Sequence, residues 1–86
     1  MYTVYILKHN YTGQIYIGRT NDLKRRIKEH NSGSNISTNR KSGKWILVYA
    51  EAYRAKKDAD VRELKFKQHG RSKQELLRRL NESLNI

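Results

Sequence analysis

YTVYILKHNYTGQIYIGRT, residues 2–20, holds two apolar and aromatic runs on either side of a polar break. Tyr2 to Lys8 and Ile15 to Arg19 are rich in β-branched and aromatic residues, which fit a pleated, half-buried surface. Asn10-Tyr11-Thr12-Gly13 has turn chemistry, so the segment reads as an antiparallel hairpin. A four-residue loop pairs His9 with Gln14, and that register sets Leu7 opposite Tyr16 and Tyr5 opposite Gly18. Tyr5 and Tyr16 then share one face diagonally, within reach of each other. Gly18 removes bulk beside them, where another backbone can approach. The same placement suits two half-buried strand tyrosines with no chemical role, in a chain with six tyrosines.

After the hairpin the period becomes helical, from Asn21 to Asn31. Leu23, Arg26, Ile27 and His30 form one stripe, while Lys24, Arg25, Lys28 and Glu29 take the outer face. An arginine among leucine and isoleucine positions needs a polar partner or an anion, and a phosphate would satisfy it. Alternatively, Arg26 snorkels past the core edge and His30 is a satisfied interior imidazole.

Residues 31–44 (NSGSNISTNRKSGK) hold one apolar residue and read as a functional or disordered loop. Trp45 to Tyr49 is a continuous apolar run, expected to be a buried third strand. Lys56 to His69 is a second helix that Gly70 can stop. On it Ala55, Ala59, Arg62, Glu63 and Phe66 make a stripe, with Val61 and Leu64 opposite, so this helix is expected to be covered on both faces. A capping box, Ser72-Lys73-Gln74-Glu75, opens a third helix over residues 72–84, and Leu76, Leu77, Leu80 and Leu84 give it one apolar stripe. The expected fold is α+β, ββαβαα: a three-stranded, mainly antiparallel sheet flanked by helices, its strand order open.

A chain of 86 residues suits one domain, 1–86. At this size folding buries only about 60 to 65% of the exposed surface, so the core is small. Without cysteine there is neither a disulfide framework nor a thiolate zinc site. No apolar run reaches the roughly 18 residues of a membrane span, and the start lacks the basic region of a signal peptide, which reads as soluble and cytoplasmic with no membrane partner.

Nineteen Lys and Arg against eight Asp and Glu leave +11, which should attract a polyanion. Nucleic acid is the expected partner. Residues 1–44 carry nine basic and two acidic groups, so the phosphates are expected on that half. Lys24, Arg25 and Lys28 on the first helix and Arg40, Lys41 and Lys44 in the loop are the candidate phosphate contacts. Charge alone fits a nucleic-acid-coating protein as well as an enzyme.

Glu63, held among small and aromatic residues, is the inward carboxylate. It suits a hard cation, since Mg²⁺ uses one or two carboxylates and completes its shell with water and substrate phosphate. It equally suits an ion pair with Arg62, Lys67 or Arg26. The other acids, Asp22, Glu29, Glu51, Asp58, Asp60, Glu75 and Glu82, mostly read as outer-face or cap residues, which favours one ion over two.

Thr3-Val4-Tyr5, Tyr16-Ile17-Gly18, Asp22-Leu23-Lys24-Arg25-Arg26 with Glu29-His30-Asn31, and Ala59 with Glu63 together resemble the GIY-YIG nuclease domain, over residues 2 to about 67. By length the chain is similar to the short bacterial members. The family also includes the nuclease subunit of excision repair, which points to DNA repair. The resemblance implies that Tyr5 and Tyr16 are the paired active-site tyrosines and that Arg26 sits on the transferring phosphate. It implies Glu63 as the sole protein ligand of one Mg²⁺ or Mn²⁺. His30 matches a frequent histidine one turn past the arginine, and Arg19 takes a position that is lysine in some members. Thr3-Val4 stands where the family name has Gly-Ile. A late asparagine common in the family has no match, as Asn81 and Asn85 fall on or after the last helix.

The implied activity is metal-dependent hydrolysis of phosphodiesters, in DNA rather than RNA. With no appended DNA-reading module, selection by structure with low sequence specificity is expected. Tyr16 is the first choice to activate the water because it is close in sequence to Arg19. Two other readings stand: a catalytically silent nucleic-acid-binding protein of the same fold, and a subunit whose target is chosen by a protein partner.

Overall fold

A computed structural model describes residues 1–32, 43–68 and 71–85. In chain order the elements are β1 (Tyr2–His9), β2 (Ile15–Thr20), α1 (Leu23–Ser32), β3 (Trp45–Tyr53), α2 (Lys56–Lys67), α3 (Arg71–Arg79) and the single turn α4 (Asn81–Leu84). The sheet runs β2-β1-β3 and both pairings are antiparallel. β1 is central and covered on both faces, which is why Val4, Tyr5, Ile6 and Leu7 are all buried instead of alternating.

The hairpin register is the expected one, with Leu7 opposite Tyr16 and Tyr5 opposite Gly18. The His9 amide donates to the Gln14 carbonyl at 2.8 Å, and Gly13 takes φ 76°, which only glycine adopts without strain. Nδ1 of the buried His9 accepts the Thr12 amide at 3.1 Å, fixing the turn from inside.

Each sheet face has its own core. Val4, Ile6 and Ile17 pack against Ala59 and Phe66 of α2 and Leu76 of α3. Tyr5, Leu7 and Trp45 pack on the other face with Tyr16 and with Leu23 and Ile27 of α1.

Several expectations are corrected. β3 is a half-buried edge strand reaching Tyr53, and its Leu47 is exposed. A register irregularity between Ile6 and Leu7 moves their partners from Tyr49 to Leu47. Residues 45, 47, 49, 51 and 53 would otherwise share one face; the extra residue lets Trp45 join the α1 side and Tyr49 and Tyr53 the α2 side.

α2 is covered on one face only. Val61 and Leu64 are 49% and 59% exposed, because no element lies over the side opposite Ala59 and Phe66 among the described residues. The third helix is not continuous: Leu80, at φ −91° and ψ 21°, leaves helical geometry and separates α3 from α4. α3 starts at Arg71, one residue before the capping-box serine. α1 runs through Asn31 and Ser32, so the expected loop begins later, and residues 33–42 of it lie outside the described residues.

Candidate active site

α1 starts directly behind β2 because of two local bonds. The Asp22 amide donates to Oγ1 of Thr20 at 3.0 Å, and Oδ1 of Asp22 accepts the Arg25 amide at 3.1 Å as the N-cap. This sets the stripe of α1 against the tyrosine face of the hairpin. His30 is buried, with Tyr5 and Tyr16 packed edge-on to its ring at centroid distances of 6.0 and 4.6 Å.

Gly18 makes this packing possible. A β-carbon there would lie 2.6 Å from the Tyr5 hydroxyl and 3.0 Å from the Tyr16 ring. The close approach is therefore of side chains across the missing one, not of another backbone.

The Arg26 guanidinium lies beside both tyrosine hydroxyls, and its Nη1 donates to Oε1 of Glu29 at 3.1 Å. Glu29 is thus not an outer-face acid but the partner of the inward arginine. A guanidinium has donors only, so toward Arg26 the Tyr5 oxygen can only accept. The same hydroxyl lies 3.0 Å from Nε2 of His30, and a neutral imidazole there can accept its proton. Burial pushes the Tyr5 phenol up to about 12, against the opposing bond from Arg26. Burial, and then the charge of Arg26, lowers the His30 pKa below its ordinary value, so this imidazole is held neutral.

A second cluster lies on the other sheet face. Arg19 pairs across from Val4 and so projects toward α2, away from Tyr16. Its closeness in sequence to Tyr16 does not bring the two side chains together, because successive strand residues face opposite ways. Arg19 Nε lies 2.5 Å from Oδ1 of Asp60 and 3.8 Å from Oε1 of Glu63. Lys56 Nζ is 3.0 Å from Oδ2 of Asp60, and Lys67 Nζ is 3.0 Å from Oε2 of Glu63. Charges therefore alternate Lys56, Asp60, Arg19, Glu63, Lys67 along α2. Asp60 had read as an outer-face acid; its distance from Glu63, one helical turn, is the only trace of this in sequence. Glu63 is near enough to Tyr5 to add to the rise of that phenol's pKa.

Glu51 also differs from expectation. It accepts from the hydroxyls of Tyr49 and Tyr53 at 2.6 and 2.7 Å and from Arg62 Nε at 2.8 Å. Arg62, considered as a partner for Glu63, is thus taken by Glu51 and lies over the Phe66 ring, 4.1 Å from its centroid.

Arg19 and Arg26 meet again at a groove of about 390 Å³, lined also by Thr20, Arg25, Glu29 and Lys56. Lys24, Arg25 and Lys28 are exposed beside it around a second depression. Lys44 is exposed at the start of β3, its amide bonded to Oδ1 of Asn10 at 2.8 Å. Arg40 and Lys41 lie outside the described residues. Asn81 and Asn85 are exposed at the C-terminal turn. Among the described residues no three His, Cys, Asp or Glu converge as a metal cage, and no helix is long and apolar enough to cross a membrane.

A family model, the GIY-YIG catalytic domain, matches residues 1–81. The chain belongs to the GIY-YIG family. This is a family of nuclease domains, and the match takes in α3 as well as the motif-bearing segment. Similar proteins include a UPF0213 protein of Bacillus velezensis, 38% identical over 71 residues, which are 83% of this chain and 71% of that one. A UPF0213 protein of Halobacterium salinarum is 34% identical over 77 residues, 90% of this chain and 99% of that one. The solution NMR structure of a UPF0213 protein from Bacillus halodurans shares the fold of this GIY-YIG chain. It has a TM-score of 0.56 and 38% identity, and the match covers 93% of this chain and 85% of that one.

Proposed function

We propose that this chain is a divalent-metal-dependent DNA endonuclease that selects its target by structure with little sequence preference, in the cytoplasm. The observation that carries this reading is that Arg26 lines a groove with Arg19, Arg25 and Lys56 and lies beside both tyrosine hydroxyls. A fixed cation and two phenols beside a cationic groove suit a bound phosphodiester.

Hydrolysis joins a water oxygen to phosphorus, breaks the bond to the 3′ oxygen, and passes a water proton by way of a base to that departing oxygen. Arg26 neutralises charge on the phosphate, a preorganised contribution worth about 3 to 4 kcal/mol. Tyr5 is unsuited as the base, since burial pushes it up to about 12; fully buried, it backs Arg26 and His30 from behind, its hydroxyl 3.0 Å from His30 Nε2. Tyr16 is assigned to water activation. Its nearest cation is Arg26 rather than Arg19.

Glu63 is the carboxylate assigned to a hard cation, which would compete for it with Lys67 and, at longer range, Arg19. Its side chain is 22% exposed and its two oxygens already face Arg19 and Lys67. A single Mg²⁺ or Mn²⁺ held there, with water and substrate completing its shell, would supply charge neutralisation at the phosphate and leaving oxygen. Lys24, Arg25, Lys28 and Lys44 extend the phosphate-binding surface.

The same two ion pairs on Glu63 favour a second reading, a silent nucleic-acid-binding domain whose carboxylate is permanently neutralised. One assay separates the two: supercoiled plasmid, branched and single-stranded DNA with Mg²⁺, Mn²⁺ or EDTA. Metal-dependent cutting supports the nuclease. Binding without cutting under every condition supports the silent domain.

A further inference from the structure

We infer that Asp60 is a positioning residue that holds the Arg19 guanidinium back from full contact with Glu63, leaving that carboxylate available to a divalent cation. The inference rests on Glu63 being the cation's ligand, as proposed above.

Asp60 and Glu63 stand one turn apart on α2, with Arg19 between them from β2. The guanidinium favours Asp60, with Nε at 2.5 Å against 3.8 Å to Glu63. Arg19 Nε and Asp60 Oδ1 lack a well-aligned hydrogen bond, so the contact is one of charge, partly screened because the two side chains are 27% and 39% exposed. Lys56 takes the other oxygen of Asp60 and keeps the carboxylate from turning away. Without the charge on Asp60, the nearest anion for Arg19 is Glu63. That carboxylate would then carry a guanidinium as well as Lys67, and an incoming metal ion would have to displace both.

The test is Mn²⁺ binding to the full chain, followed by electron paramagnetic resonance of the free ion, with folding checked by circular dichroism. Asp60→Asn is expected to weaken Mn²⁺ binding roughly tenfold, the lower end of what losing an outer partner of a metal ligand costs. Asp60→Glu, which restores the charge, should bind within about threefold of the wild type. In an Arg19→Gln background, Asp60→Asn should cost less than about threefold, because no guanidinium remains to collapse onto Glu63.

An equal loss with and without Arg19 overturns the inference, as Asp60 would then act by its own charge. If Asp60→Asn binds like the wild type while Glu63→Gln does not bind, the role of Asp60 fails and the assignment of Glu63 stands. If Glu63→Gln binds normally, both fail. Should Asp60→Asn not fold, the Arg19 Nε–Hε signal of the wild type decides. It should shift little when Mg²⁺ is added, since Asp60 retains the guanidinium. A large shift would mean that Glu63 had been its anchor.

Discussion

The Tyr5 hydroxyl stands 3.0 Å from Nε2 of His30, with both residues shut away from solvent. Arg26 lies on another side of the same hydroxyl and can only donate toward it, which favours a neutral imidazole at His30, able to accept the Tyr5 proton.

That preference makes stability depend on pH. Burial and Arg26 hold the pKa of folded His30 below its ordinary 6.5, so between the two values the unfolded chain binds more protons. This contribution is present above about pH 6.5 and is lost as the pH falls toward the folded value. The thermal midpoint is expected to drop across that window in the wild type and to drop less in His30→Gln. Parallel pH profiles for the two proteins would contradict it.

Glu63→Gln keeps size and removes charge. Metal-dependent cleavage of plasmid DNA is expected to fall by roughly 100-fold or more, while DNA affinity holds or rises slightly because an anion near the phosphate has been neutralised. Arg26→Ala should lower both cleavage and affinity. Cleavage kinetics and binding isotherms on the same substrate distinguish the two patterns.

Gly18→Ala places a β-carbon 2.6 Å from the Tyr5 hydroxyl and 2.7 Å from its ring carbon Cζ, and Tyr5 is fully buried. The overpacking is expected to cost about 1 to 3 kcal/mol in urea denaturation. Cleavage should fall further than the folded fraction does, since Tyr5 is the residue that must move.

Replacing Lys24, Arg25 and Lys28 together by alanine should weaken binding to duplex DNA of any sequence. Each lost phosphate contact lowers the slope of log affinity against log salt by up to about 0.9. An unchanged slope would place the binding face elsewhere.

What the sequence made legible was local. The turn length set the Tyr5–Gly18 register, and the period of α1 brought Arg26 and His30 to the tyrosine face. Partners contributed by distant segments were not legible. Glu51 faces Arg62 only because of an irregularity in β3, and nothing between Trp45 and Tyr53 marks it. Asp60 meets Arg19 because α2 crosses the face of β2 to which Arg19 points. Val61 and Leu64 stay exposed because an apolar pair on a helix is covered only where another element lies over it.

The side-chain amide of Asn31 takes both backbone groups of Trp45, accepting its N–H at 2.8 Å and donating to its carbonyl at 3.2 Å. Arriving and departing chain are thus stapled next to the ring cluster of Trp45, Tyr16 and His30. Whatever is spliced in between should leave those rings in register, and lengthening an insert adds only about 0.6 kcal/mol of closure entropy per doubling. The fold carries a socket there: the rings keep their place whatever the length of chain that joins Asn31 to Trp45.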